Sequence, residues 1–281
     1  MSSLFTMPEL PKDRLEISLY RTLDPAIDGE FIKKYAQVFQ VMGKAKNTGS
    51  RNIVEDQSGV LEIFEASGSI WWTSKTRIKS EPRKSVQFPP EEEAISRANT
   101  YLAAMGLTDK QANTVSVTYT ETFYLRDEQK EPQKAITNQH INYVFRLDGL
   151  PVWGPGAKIQ VTYGSDDQVT EVLKFWREPK KEQNKHKLIP VEKAVKIFQT
   201  DDAFSDLSIK TANVKVDEIS LGYYALPPRE VQACLIPVYR FKGFVSTERL
   251  ERYDFAMHVI AVDLTADLLK KTGIAVTGSH L

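Results

Sequence analysis

Two sets of residues have the types and spacing to do chemistry. The first is polar. His140, Asn142 and Arg146 stand at even spacing between Ile141, Tyr143, Phe145 and Leu147, and Lys158, Gln160 and Thr162 stand in the same way between Ile159, Val161 and Tyr163. Period-two alternation is the mark of a half-buried strand. If the two strands pair, one face gathers a hydroxyl, two amides, an imidazole, a lysine and an arginine. Such a face suits a polar or anionic ligand, with Arg146 as a two-pronged donor and His140 as a titratable one. Arg240 occupies a parallel position further along the chain, where it would line a second such site. The second set is aromatic: Trp71 and Trp72, Trp153, Trp176, and Tyr223 with Tyr224. Core packing is the ordinary use of such rings. A pocket rimmed by Trp72, Trp153, Trp176 and Tyr223 is the alternative, and it would serve a small-molecule enzyme of the isomerase or cyclase type that shapes its substrate with few acid–base groups.

Other chemistries find no support in the residue pattern. The four histidines, His140, His186, His258 and His280, are far apart, and no His or Cys pair has metal-ligand spacing. Gly154-Pro-Gly156 carries a proline that removes an amide donor, so it makes a poor phosphate cradle. Neither a glycine-rich dinucleotide loop nor a nucleophile elbow is present. No metal and no cofactor is expected. Lys plus Arg equals Asp plus Glu at 37 each, so no basic excess points to nucleic acid. The partner is expected to be a small molecule or another protein.

The elements that must position these residues follow from chain order. Leu15–Tyr20 alternates as a first strand. Glu30–Met42 carries Phe31, Tyr35, Val38, Phe39 and Met42 at helical spacing, with Asp28 as cap and Gly43 as stop. A small meander is expected over 51–73. Pro89 and Pro90, followed by Glu91, Glu92 and Glu93, open a second helix that ends at Gly106. Strands follow at 115–125, 136–147, 157–163 and 168–176, turned at Asp148-Gly149 and Gly164–Asp167. Pro151–Gly156 is too rich in proline for a central strand. The basic cluster Lys180, Lys181, Lys185 and Lys187 reads as a solvated linker. A third helix is expected over 191–198, then strands at 214–226, 231–242 and 253–264, a short helix at 264–271 and a mobile tail. Residues 1–14 read as frayed. Cys234, the sole cysteine, lies in an apolar run and reads as a buried structural thiol.

Two of these units can be laid over one another. Pro90-Glu-Glu-Glu-Ala-Ile95 matches Pro190-Val-Glu-Lys-Ala-Val195, Thr122–Leu125 matches Tyr223–Leu226, and Tyr143-Val-Phe-Arg-Leu-Asp-Gly149 matches Pro237-Val-Tyr-Arg-Phe-Lys-Gly243. On these residues, with Ala157–Tyr163 and Val169–Phe175, residues 88–265 resemble tandem PepSY-type modules. The resemblance implies an α+β, cystatin-like fold of repeated helix-plus-antiparallel-sheet modules. It also implies a non-catalytic inhibitory, regulatory or ligand-binding role, with no catalytic residues in common. The expected organisation is an N-terminal helix and meander over 1–78 (a diverged third copy), modules over 88–178 and 188–265, and a tail over 266–281. No signal peptide and no apolar run of membrane-spanning length is visible, so a soluble, cytoplasmic protein is expected.

Overall fold

The computed structural model describes residues 4–9, 14–75, 87–124, 133–164, 168–200, 213–246 and 252–263. The tail, the short helix expected at 264–271 and most of the charged segments expected at 75–89 and 126–134 lie outside them. In chain order the described elements are β1 (Leu4–Thr6), β2 (Glu16–Thr22), α1 (Gly29–Val38), β3 (Lys46–Asn47), β4 (Arg51–Glu55), β5 (Gly59–Phe64), β6 (Ile70–Ser74) and α2 (Glu91–Ala104). There follow β7 (Ala112–Tyr124), β8 (Gln133–Leu147), β9 (Leu150–Trp153), β10 (Lys158–Tyr163), β11 (Val169–Phe175), β12 (Pro179–Lys187), α3 (Val191–Gln199), β13 (Asn213–Tyr224), β14 (Cys234–Ser246) and β15 (Tyr253–Ile260).

The fold class departs from expectation. Of the described residues 53% lie in strands and 16% in helices, and the architecture is sheet-dominated, not a series of helix-plus-sheet modules. Hydrogen bonding shows why. The N-terminal region is no separate copy, because β6 pairs antiparallel with β11, setting Trp72 opposite Val172, and β2 pairs with both β12 and β14. Strands expected to end a module are thus carried on into wider sheets. In β6, Trp71 and Trp72 point to opposite faces, with Trp72 buried and Trp71 half-buried.

The chain forms two compact units. One contains the described residues of 24–177 and 226–231. Its sheet runs β7-β8-β10-β11-β6-β5-β4-β3, antiparallel throughout, with β9 paired to the end of β8. Asp148 and Gly149 make the β8–β9 turn with φ of 49° and 78°, the double left-handed conformation of a two-residue hairpin. Pro151 therefore sits inside a short strand. The helix α2 buries Ala94, Ala98 and Leu102 and packs on β7 and β8, where the Tyr143 hydroxyl donates to Asn99 Oδ1 at 2.8 Å. Asp28 caps α1 as expected, accepting from the Phe31 amide. That helix stops before Gly43, however. Gln40 takes φ 55°, and the Val41 amide donates back to the Ala36 carbonyl, closing the helix and burying Phe39 and Val41.

The other unit contains the described residues of 1–23, 178–225 and 232–281. β14 is its spine, paired with β13, β15 and, at Cys234–Leu235, with β2. Two expectations change here. Residues Leu4–Thr6 are not frayed but pair parallel with β13, and the lysine cluster is not a linker but the strand β12, antiparallel to β2. A row of lysines is how an edge strand discourages further pairing. The core is aromatic: Phe198 of α3 stacks on Phe241 at 4.4 Å, and Tyr20 meets Tyr223 edge-on at 5.3 Å. Cys234 is buried as expected, and burial pushes its thiol up to about 12.

Candidate functional site: a polar ladder across one sheet face

The register of the first sheet places the predicted polar residues side by side. Thr162 lies opposite His140, Gln160 opposite Asn142 and Lys158 opposite Val144. On the far side of β10, Thr162 lies opposite Glu171 and Gln160 opposite Leu173. On the far side of β8, Thr118 lies opposite His140 and Ser116 opposite Asn142.

Side chains join these positions into a continuous ladder. Thr120 Oγ1 stands 2.6 Å from His140 Nε2, and His140 Nδ1 stands 2.9 Å from Thr162 Oγ1. The Thr162 hydroxyl donates to Glu171 Oε2 at 3.2 Å, and Trp71 Nε1 donates to Glu171 Oε1 at 3.0 Å. Because the one Thr162 proton goes to Glu171, Nδ1 of His140 must carry the proton donated to Thr162. In the neutral ring Nε2 then accepts from Thr120. A parallel rung runs beside it: Gln160 Nε2 donates to Asn142 Oδ1 at 2.6 Å, and Asn142 Nδ2 donates to Thr118 Oγ1 at 3.0 Å. The ladder spans β7, β8, β10, β11 and β6. Its inner end is dry, with Thr162 at 0% and Glu171 at 7% exposure, and its outer end opens at Thr118 and Thr120. Buried carboxylates persist where donors satisfy them, and here one hydroxyl and one indole do so.

The remaining predicted site residues divide. Arg146 lies on the same strand face, but its Nη1 donates to the Gly149 carbonyl of its own turn at 3.0 Å. Trp153 is half-buried in β9. Trp72 is core, stacked on Phe39 at 5.1 Å, and Trp176 is core, stacked on Phe145 at 3.7 Å. Tyr223 is fully buried in the other unit, with its hydroxyl donating to the Ser18 carbonyl. Arg240, also in that unit, faces His258 across β14 and β15 and Ser220 across β13. Burial and the Arg240 guanidinium press His258 down to about 4, and the Tyr224 ring lies 4.8 Å from it. Trp72, Trp176 and Tyr223 are thus spent on packing.

Two residues outside the expected site, Glu171 and Arg177, matter more. Glu171 completes the ladder with Trp71, which was expected only as one of the aromatic rings. Arg177, 2% exposed, clamps the segment 226–231: Nη1 donates to the Leu226 carbonyl at 2.9 Å, and Nη2 donates to those of Pro227, at 2.8 Å, and Glu230. Burial lowers its pKa to about 10. A carboxylate inside the apolar run Val169–Phe175 was the available signal for Glu171, since such a group must be paired.

Among the described residues no group of three or more His, Cys, Asp and Glu side chains is placed to hold a metal ion, and no helix is long and apolar enough to cross a membrane. No family model and no curated protein matches the chain. Among solved structures, the chain is similar to an uncharacterized protein from Eubacterium rectale ATCC 33656. That similarity covers 89% of this chain and 84% of the other, with a TM-score of 0.51 and 9% identity, and it concerns the fold alone.

Proposed function

We propose that the chain is a non-catalytic binding or regulatory protein, and that it recognises a neutral ligand rich in hydroxyl or amide groups on the sheet face of the polar ladder. The observation that carries this reading is the unbroken run Thr120–His140–Thr162–Glu171–Trp71. Both ring nitrogens of His140 and both oxygens of Glu171 are engaged by neighbouring side chains. That arrangement fixes donors and acceptors in place instead of presenting a base to a substrate. The outer rungs supply the recognition groups: Thr118, Thr120, Asn142 and Gln160 offer hydroxyls and amides at strand spacing, held by one another and so ordered before a ligand arrives. With Arg146 turned to its own hairpin and the Lys158 ammonium 5.5 Å over the Phe175 ring, cationic side chains at this face have local uses, which favours a neutral ligand over an anionic one.

A thermal-shift screen tests the reading, with neutral oligosaccharides and small amides in one arm and phosphate and carboxylate compounds in the other. A shift with the neutral class that is lost in Asn142→Ala and Gln160→Ala supports it. A shift with anions alone, or one that both variants retain, overturns it. So does turnover of a bound compound that disappears in His140→Ala.

A further inference from the structure

A sheet edge in the first unit is built to be covered. Among the described residues β7 pairs only with β8, so one side of a 13-residue strand presents its amides and carbonyls outward. The other edges are short or guarded. β12 carries Pro179, Lys180, Lys181, Lys185 and Lys187, β3 is two residues long and includes Lys46, β1 is three residues long, and β15 is the shorter at eight residues. Proline, lysine and brevity are the devices that keep edges from pairing with other chains. β7 has none of them. Its one charge, Glu121, is neutralised inside its own hairpin by Lys134 at 2.6 Å. It also exposes Tyr119 at 40% and Phe123 at 63%.

We propose that β7 pairs antiparallel with β7 of a second copy of this chain about a two-fold axis at Val117. The regular part of the strand runs from Thr114 to Thr120, between register shifts at Ala112/Thr114 and Thr120/Glu121, and Val117 is its midpoint. An axis there places Ser116 opposite Thr118 of the second copy and Val117 opposite Val117. Hydroxyl meets hydroxyl and apolar meets apolar, which is the self-complementarity a two-fold contact requires. Each Glu121 falls opposite residue 113 of the second copy, so the two carboxylates stand about 27 Å apart at strand rise, beyond the screening length of physiological salt. A second copy is favoured over an unrelated peptide because the strand complements itself in side-chain type and sets its like charges far apart.

Sedimentation velocity on the full chain over a wide concentration range tests this. A concentration-dependent dimer is expected. Ser116→Lys combined with Thr118→Lys sets lysine against lysine across the axis, and should weaken the dimer at least tenfold while leaving the circular dichroism spectrum unchanged. Val117→Cys is the second probe. Opposed strand positions lie within disulfide reach, so mild oxidation should link two chains. Cys234 is buried and stays out of the reaction. A wild-type chain that remains monomeric throughout overturns the proposal. So does a folded double-lysine variant that dimerises as well as wild type, or a Val117→Cys chain that dimerises without cross-linking.

Discussion

Gly156 lies so close to the carbonyl of Leu226 that a Cβ built on it would stand 2.0 Å from the oxygen and 2.9 Å from Nη1 of Arg177. The glycine is there for approach, since any side chain would push the segment 226–231 away from the arginine that holds it. Gly156→Ala should therefore destabilise the protein by about 3 kcal/mol, the upper part of the range for overpacking, because the obstructing atoms are backbone. Tm should fall by roughly 6–12 °C. Differential scanning calorimetry reads the change, and a shift under 2 °C would show that the segment yields freely.

Arg177 itself bonds three carbonyls, those of Leu226, Pro227 and Glu230, from a 2%-exposed position. Arg177→Met fills the space and strips the donors, leaving buried acceptors unpaired at a cost of about 3 kcal/mol or more. Arg177→Lys keeps the charge but not the planar fork, and a single ammonium cannot reproduce the arrangement. Urea titration should place both variants well below wild type, with Lys recovering less than half of the loss. Full recovery by Lys would mean that charge, not geometry, is what the site uses.

His258 gives the protein an acid-sensitive element. Burial first, and Arg240 second, press its pKa from the usual 6.5 to about 4 in the folded chain. The unfolded chain then binds the proton more readily, so stability is full above pH 6.5 and is lost as pH falls through about 4. Carboxylates titrate in the same range, so the comparison must be made against a variant. His258→Gln removes the titration and should flatten part of the slope of urea midpoint against pH between 6.5 and 4. Parallel slopes for wild type and variant would remove His258 from the account.

The polar ladder was legible where it rests on local periodicity. Alternation in β8 and β10 puts His140 and Asn142 on one face and Gln160 and Thr162 on another, and pairing the two strands brings them together. Glu171 and Trp71 were not legible, because their meeting needs β6 beside β11, a contact between residues about a hundred positions apart. Long-range pairing also explains the failed modular reading. Helix-then-strands order does not give pairing order, since β2 joins β12 and β14 from the far end of the chain. The lysines of β12 misled for a different reason: an edge strand and a solvated linker share a composition, and the partner strand alone tells them apart.

Glu171 is where the ladder can be tested apart from any ligand. Its two oxygens accept from Thr162 and from the Trp71 indole, and its side chain is almost without solvent. Glu171→Gln keeps the shape but turns one oxygen into an NH₂ group, so either the Thr162 or the indole donor must lose its acceptor. The expected cost is about 1–3 kcal/mol, the penalty for a buried donor left without a partner. The choice of which donor loses is readable. If Trp71 loses its bond, its indole N–H resonance moves, while reorientation at Thr162 instead perturbs the His140 ring resonances through Nδ1. Either displacement is expected along with the lower unfolding midpoint. A Glu171→Gln chain as stable as wild type, with both sets of resonances unmoved, would mean that the five-strand ladder is a row of neighbours and not a linked network.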